Sequence, residues 1–170
     1  EGIKEVIFIS STSVYGNLHG IITEKSNTEP ETNSGKQLLQ CEKLLSDSVH
    51  FNTTILRMGG LIGADRHPVF QLSKKEFVTN PKGSINLIHL TDCINIIGSL
   101  INQIIVKNVY NCVTPYHPNR VKYYTQMAIQ MGCNPPKFRD SITFDRKISS
   151  KKLQEKFNYA FRVINLLISS

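Results

Sequence analysis

An α/β fold with a parallel sheet follows from two observations. Strand-length apolar runs alternate along the chain with stretches whose apolar residues recur every three to four positions. The first of these runs, around Val6-Ile7-Phe8-Ile9, is continuous rather than alternating, as in a parallel strand covered on both faces.

The elements follow in order. Glu5 to Ser10 reads as that first strand, and Thr23 to Asn33, with Pro30, reads as a polar loop. A helix is predicted from near Ser34 to Val49, with Leu38, Cys41, Leu45 and Val49 as its apolar face. Ser34-Gly35-Lys36-Gln37 has the spacing of a capping box at its start. Thr53 to Arg57 is the next strand, and Gly59, Gly60 and Gly63 open a loop behind it. Pro68 to Leu72 is a short helix and Ile85 to His89 a short strand. Thr91 is placed to cap the following helix, with Asp92 favourable at its positive end. Ile94, Ile97, Ile101 and Ile104 form that helix's apolar stripe. Asn108 to Val113 is a strand, and Asn119 to Met131 a helix stopped by Gly132 and Pro135-Pro136. A last helix spans Ser150 to Phe157, with Asn158 suited to the left-handed position after it.

At 170 residues and 40% hydrophobic, the chain suits one domain or part of a larger one. No stretch approaches the roughly 18 apolar residues of a membrane helix, so no membrane partner is expected. The start, Glu1-Gly2-Ile3-Lys4, has neither a signal pattern nor an initiator Met, which reads as a fragment or a processed product. The net charge is +7. Its Lys and Arg residues are spread, often beside acids, and the densest region, Lys137 to Arg162, lacks flanking stacking aromatics, which argues against nucleic acid. Cys41, Cys93, Cys112 and Cys133 have no Cys-x-x-Cys spacing, so neither a metal site nor a disulfide framework is predicted. Cys41 and Cys93 fall at apolar helix positions, and reduced cysteines of this kind fit the cytoplasm.

The strand that ends in Ser10-Ser11-Thr12-Ser13-Val14-Tyr15-Gly16 carries hydroxyls where its apolar run stops. Ile55-Leu56-Arg57 leads into Gly59 to Gly63, and Ile88-His89-Leu90-Thr91-Asp92 follows. Asn108-Val109-Tyr110-Asn111, His117-Pro118-x-Arg120 and Ile148-Ser149-Ser150-Lys151-Lys152-Leu153 complete six landmarks. In this order they resemble the extended, atypical short-chain dehydrogenase/reductase family, the NAD(P)-dependent epimerases and dehydratases of nucleotide sugars.

The resemblance implies the C-terminal half of a Rossmann-like parallel sheet with flanking helices. A small substrate-binding portion is implied at about 59–90 and 114–170. It places Ser11 at the catalytic hydroxyl, and Ser10, Ser11, Met58 and Gly59 near the nicotinamide of NAD or NADP. His67, on the loop that approaches substrate in such proteins, becomes a contact to a small-molecule or nucleotide-sugar-like substrate. Tyr15 lines the fold near the site without being the proton donor. The family's Tyr-x-x-x-Lys pair puts a phenol and its tuning ammonium one helical turn apart. With the helix register anchored on Glu42, those positions read Ser34 and Leu38. A Ser hydroxyl is too weak an acid to replace a phenol, and Lys36 lies about 200° around the helix from Ser34. The family's Gly-x-x-Gly-x-x-Gly phosphate loop precedes the first landmark and is not in this sequence.

Three functions follow: an epimerase/dehydratase-like protein with weak or no redox catalysis, a non-catalytic nucleotide-binding regulator, or an inactive remnant of a split gene. A missing N-terminal half or a second copy of the chain is the matching protein partner, and the free chain should expose a sheet edge.

Overall fold

In the computed structural model, residues 2–63, 66–101, 107–140 and 145–167 are described. Seven strands and five helices alternate among them: β1 (Glu5–Ser11), β2 (Gly20–Ile22), α1 (Asn33–Ser46), β3 (Asn52–Met58), β4 (Gly60–Ile62) and α2 (Val69–Leu72). Then follow β5 (Leu87–His89), α3 (Leu90–Ile101), β6 (Asn108–Cys112), α4 (Arg120–Gln130), β7 (Arg146–Ile148) and α5 (Lys151–Phe157). β1, β3 and β6 form a parallel sheet in that spatial order, and β2 with β7 and β4 with β5 make two smaller parallel pairs. The register aligns Ser10, Arg57 and Asn111 across the main sheet, so their side chains share one face.

Three apolar clusters hold these layers. On one face of the main sheet, Leu56, Met58, Tyr110 and Cys112 pack against Cys93, Ile96 and Leu100 of α3 and Leu153 of α5. A second cluster joins Ile62, Val69, Ile85 and Leu87 to Tyr123, Tyr124, Met127 and Ala128 of α4. All its members lie within 59–90 and 114–170. The third gathers Val14, Tyr15, Ile22, Val113 and Ile148, with Leu38 and Leu39 of α1 against it.

Several expectations change. β1 is not covered on both faces: Ile7 and Phe8 are half-buried and Ile9 is 44% exposed. Among the described residues β1 is an edge strand, so an apolar run marked burial that one margin of the sheet does not provide. α1 starts earlier than its Ser34 spacing indicated. Thr32 is the N-cap, extended at φ −82° and ψ 149°, and its Oγ1 accepts the Gly35 N–H at 3.0 Å. Its inward face is Gly35, Leu38, Leu39, Glu42 and Leu45, while Cys41 and Val49 are exposed. A charged Glu42 on the buried side hid the face from a hydrophobicity count.

The stripe on α3 is likewise displaced. Asp92, Cys93, Ile96 and Leu100 are buried, Ile97 is partly so, Ile94 and Ile101 face out, and Ile104 lies outside the described residues. α3 begins at Leu90, so Thr91 is inside it, and the Thr91 N–H donates to His89 Nδ1 at 3.2 Å. Asn119 caps α4 through Lys122 N–H, and Asn158 adopts the left-handed conformation after α5. The three short strands β2, β4 and β7 carry too few residues to be read from periodicity.

Candidate functional site

The C-terminal ends of β1 and β3 open onto a cavity of about 390 Å³. Ser11 lines it from the end of β1, Gly60 from the start of β4, Asn86 from the approach to β5, and Tyr124, Arg120 and Arg146 from α4 and β7. Such a mouth at the carboxyl ends of parallel strands is where α/β folds place ligands. Ser11 Oγ accepts the Ser13 N–H at 3.1 Å and so caps the helical turn Thr12–Tyr15. This contact leaves the Ser11 O–H proton available to donate into the cavity.

Backbone geometry keeps this mouth tight. Gly16 sits at φ 57°, and a Cβ there would stand 2.0 Å from the Glu29 carbonyl oxygen, so no other residue fits. Arg146 Nη1 donates to the Gly16 carbonyl, which ties β7 to the strand-end turn. Asn86 closes the other side: its Nδ2 donates to Arg146 O at 3.0 Å and its Oδ1 accepts Ile148 N–H at 2.8 Å. At Gly59, a Cβ would come within 2.9 Å of Asn86 O, so the strand ends approach one another closely.

Beneath the mouth lies a buried polar network. Arg57, near the end of β3, places Nη2 2.6 Å from Glu42 Oε2 on α1. Its Nε donates to both Glu42 oxygens, and its Nη1 donates to Tyr15 Oη at 2.9 Å. The Tyr15 hydroxyl in turn donates to Asn111 Oδ1 at 2.8 Å, and Ser10 Oγ donates to Glu42 Oε1 at 2.6 Å. Burial works against the Arg57 charge, but its bonds to Glu42 and Tyr15 prevail and hold its pKa above the ordinary value. Burial raises the Tyr15 pKa, with Arg57 opposing it. Tyr15 therefore stays a neutral hydroxyl locked between two partners.

The sequence-predicted residues separate into two groups. Ser11 lines the cavity, as does Gly60 next to the predicted Gly59, while Gly59 itself is buried against Asn86 and Val113. Ser10 and Met58 point away from the cavity, Ser10 into the Glu42 network and Met58 into the apolar cluster beneath α3. Neither residue lines the cavity. His67 is also turned inward. It is 5% exposed, its Nδ1 accepts the Val69 N–H at 3.1 Å, and its Nε2 lies 2.9 Å from Tyr123 Oη. With Nδ1 accepting, Nε2 carries the proton and donates to Tyr123. Burial lowers the His67 pKa to about 4, so the ring is neutral and serves as a packed brace for α2. The cavity wall does not include it. Ala64 and Asp65, on the same loop, lie outside the described residues.

Ser34, Leu38 and Glu42 recur every four residues and so share one side of α1. Ser34 is exposed, Leu38 packs with Val14 and Tyr15, and Glu42 is buried. The phenol that does line the cavity is Tyr124, which sequence reasoning missed. Burial raises its pKa, with Arg120 opposing, which keeps the phenol protonated and makes it a weaker acid. Arg120 Nε is buried with no hydrogen-bond partner among the described residues. Arg146, Asn86 and Tyr124 carry no local pattern in sequence. Arg120 was marked only by its place after His117-Pro118.

No family model matches the chain. It is 40% identical over 142 residues to protein YeeZ of Escherichia coli strain K12, a match covering 82% of this chain and 51% of that protein. The chain thus spans about half the length of the curated relative it matches. A conserved protein of unknown function from Silicibacter pomeroyi superposes with a TM-score of 0.79 at 18% identity, over 95% of this chain and 62% of the other. UDP-glucuronic acid 4-epimerase from Bacillus cereus, solved with NAD, superposes with a TM-score of 0.78 at 19% identity, over 94% and 56%. With its parallel sheets and flanking helices, the chain has the Rossmann-like α/β fold of these two structures, the second of which is an epimerase.

Proposed function

We propose that the chain is the strand-end and substrate-binding portion of an atypical NAD(P)-dependent epimerase/dehydratase-like protein with weak or absent redox catalysis. One observation carries this reading: the Ser11 hydroxyl shares a cavity with two guanidinium groups and with no phenol of lowered pKa. Arg120 and Arg146 suit an anionic substrate, since guanidinium groups pair with phosphate oxygens through directed hydrogen bonds. A nucleotide-sugar-like molecule meets that requirement, and the second apolar cluster supports 59–90 and 114–170 as the portion that receives it.

The residues present fit the reactive-ring end of a dinucleotide. Ser11 and Gly60 both line the cavity. When bound, the dinucleotide supplies the acceptor and donor of hydride. Ser11 holds the substrate oxygen by donating its proton, while Arg120 and Arg146 orient the anionic part. Ser34 and Leu38 supply neither a phenol nor a tuning cation, and the rise in the Tyr124 pKa keeps that ring from replacing them.

Calorimetric titration with NAD and NADP tests the binding half: this chain should bind neither with a Kd near about 1 µM, because no glycine-rich phosphate cradle is present. Turnover tests the rest, in a form that carries such a cradle. Ser34→Tyr with Leu38→Lys should raise hydride transfer by about 10²- to 10⁴-fold, and adding Ser11→Ala should abolish the gain. Fast turnover without the restored pair, unaffected by Ser11→Ala, would place the chemistry elsewhere.

A further inference from the structure

A second and larger cavity, of about 950 Å³, lies at the opposite end of the main sheet. Thr53 and Asn108, at the starts of β3 and β6, form part of its wall, and the loop after β2, the end of α1 and helix α5 complete it. It shares no lining residue with the Ser11 cavity.

Its charge is lopsided. Five lysines line it, Lys25, Lys107, Lys151, Lys152 and Lys156, against two glutamates, an excess of three positive charges. The hydrogen bonds already made do not cancel that excess. Lys152 Nζ donates to Asn108 Oδ1 at 2.5 Å and Val109 O at 2.8 Å, and Lys107 Nζ donates to the carbonyls of Ser46 and Ser48. These are neutral acceptors, which satisfy an ammonium's protons and leave its charge in place. The acids are partly engaged as well: one Glu24 oxygen accepts the Asn111 N–H at 2.8 Å, and Glu155 pairs with Lys151 at 3.5 Å. Lys25 and Lys156 are exposed at the rim and have no carboxylate within salt-bridge distance among the described residues.

We propose that this cavity is a binding site for a ligand that ends in a free chain of two or more phosphates. A single phosphate brings about −1.5 to −2 charges, and the doubly esterified diphosphate of a dinucleotide about −2, too few to match the excess, whereas a terminal diphosphate or triphosphate matches it. The wall offers point-charge ammonium groups rather than planar forks, which suits a flexible phosphate chain better than a rigid carboxylate. Concavity and the lack of aromatic rings in the wall disfavour an extended nucleic acid strand, whose bases stack on such rings. Burial lowers the Lys152 pKa; Glu24 opposes it, and Lys25 and Arg57 add like-charge repulsion that a bound polyphosphate would offset.

The test is isothermal titration of the chain with sodium tripolyphosphate and with ATP at low salt. Saturable one-to-one binding that weakens steeply with added salt is expected. Lys25→Ala and Lys156→Ala, both at exposed positions, should each raise Kd roughly tenfold. Equal affinity for the two probes supports a site for the phosphates alone, and tighter ATP binding supports a nucleotide as their source. Binding untouched by the lysine changes but lost in Arg120→Ala would move the phosphates to the Ser11 cavity and overturn the proposal while leaving the proposed function standing. A single-stranded oligonucleotide that binds more tightly than either probe, or no saturable binding at all, would also overturn it.

Discussion

Glu42 and Arg57 are each almost fully buried, and among the described residues each is the other's only ion-pair partner. A pair of this kind contributes little over a well-packed apolar pair, but removing one member strands the other. Arg57→Met should therefore cost about 3–5 kcal/mol, read as a lower midpoint in urea unfolding. The double change Glu42→Leu with Arg57→Met should recover much of that loss. If the single change proves neutral, the pair is hydrated and the network loose. His67 sets a pH response at the same scale. Its folded pKa of about 4 lies below the ordinary value of 6.5, so the unfolded chain binds the extra proton first. Stability from this ring is complete above pH 6.5 and is lost as pH falls toward 4, on the order of 3 kcal/mol. In His67→Gln the slope of stability against pH in that window should flatten, which thermal melts across the range would register.

At the scale of elements, what could be read from sequence depended on whether the signal was local. β1, β3, β6, α4 and α5 were legible to within one or two residues, because apolar runs and end signals such as Asn119 and Asn158 sit inside the segment they define. The inward faces of α1 and α3 were not. Each buries a carboxylate, Glu42 or Asp92, whose partners lie 15 to 71 positions away, and a period count scores such a residue as exposed. Ser11 was legible as the hydroxyl at a strand end. The rest of its cavity was not, since Asn86, Tyr124 and Arg146 meet Ser11 only through the fold. Likewise His67 looked free on a loop after Gly63, and its place is explained by the Val69 N–H and the distant Tyr123 hydroxyl.

The whole molecule is held together across its clusters by the segment after α5. Phe161 enters the cluster beneath the main sheet, Leu166 enters the one around α4, and the Thr114 hydroxyl donates to Val163 O at 3.2 Å between them. Asp92, fully buried on α3, accepts the Tyr159 hydroxyl at 2.7 Å and the Arg162 and Val163 N–H groups at 2.8 and 3.1 Å. Asp92→Asn exchanges one acceptor oxygen for a donor, at a cost of about 2 kcal/mol, and should lower Tm by roughly 4–8 °C. An unchanged Tm would mean that the segment is held by its apolar residues alone.

One carboxylate receiving three donors also has a consequence in time. The Arg162 and Val163 amide protons are shielded by the same side chain, so neither can reach solvent deuterium unless the chain leaves Asp92 as a unit. Their exchange rates should be nearly equal and should rise together in Asp92→Asn. Peptides spanning Ile96 to Leu100 and Tyr123 to Met127 should then lose protection alongside them, because the segment that departs takes Phe161 from one cluster and Leu166 from the other.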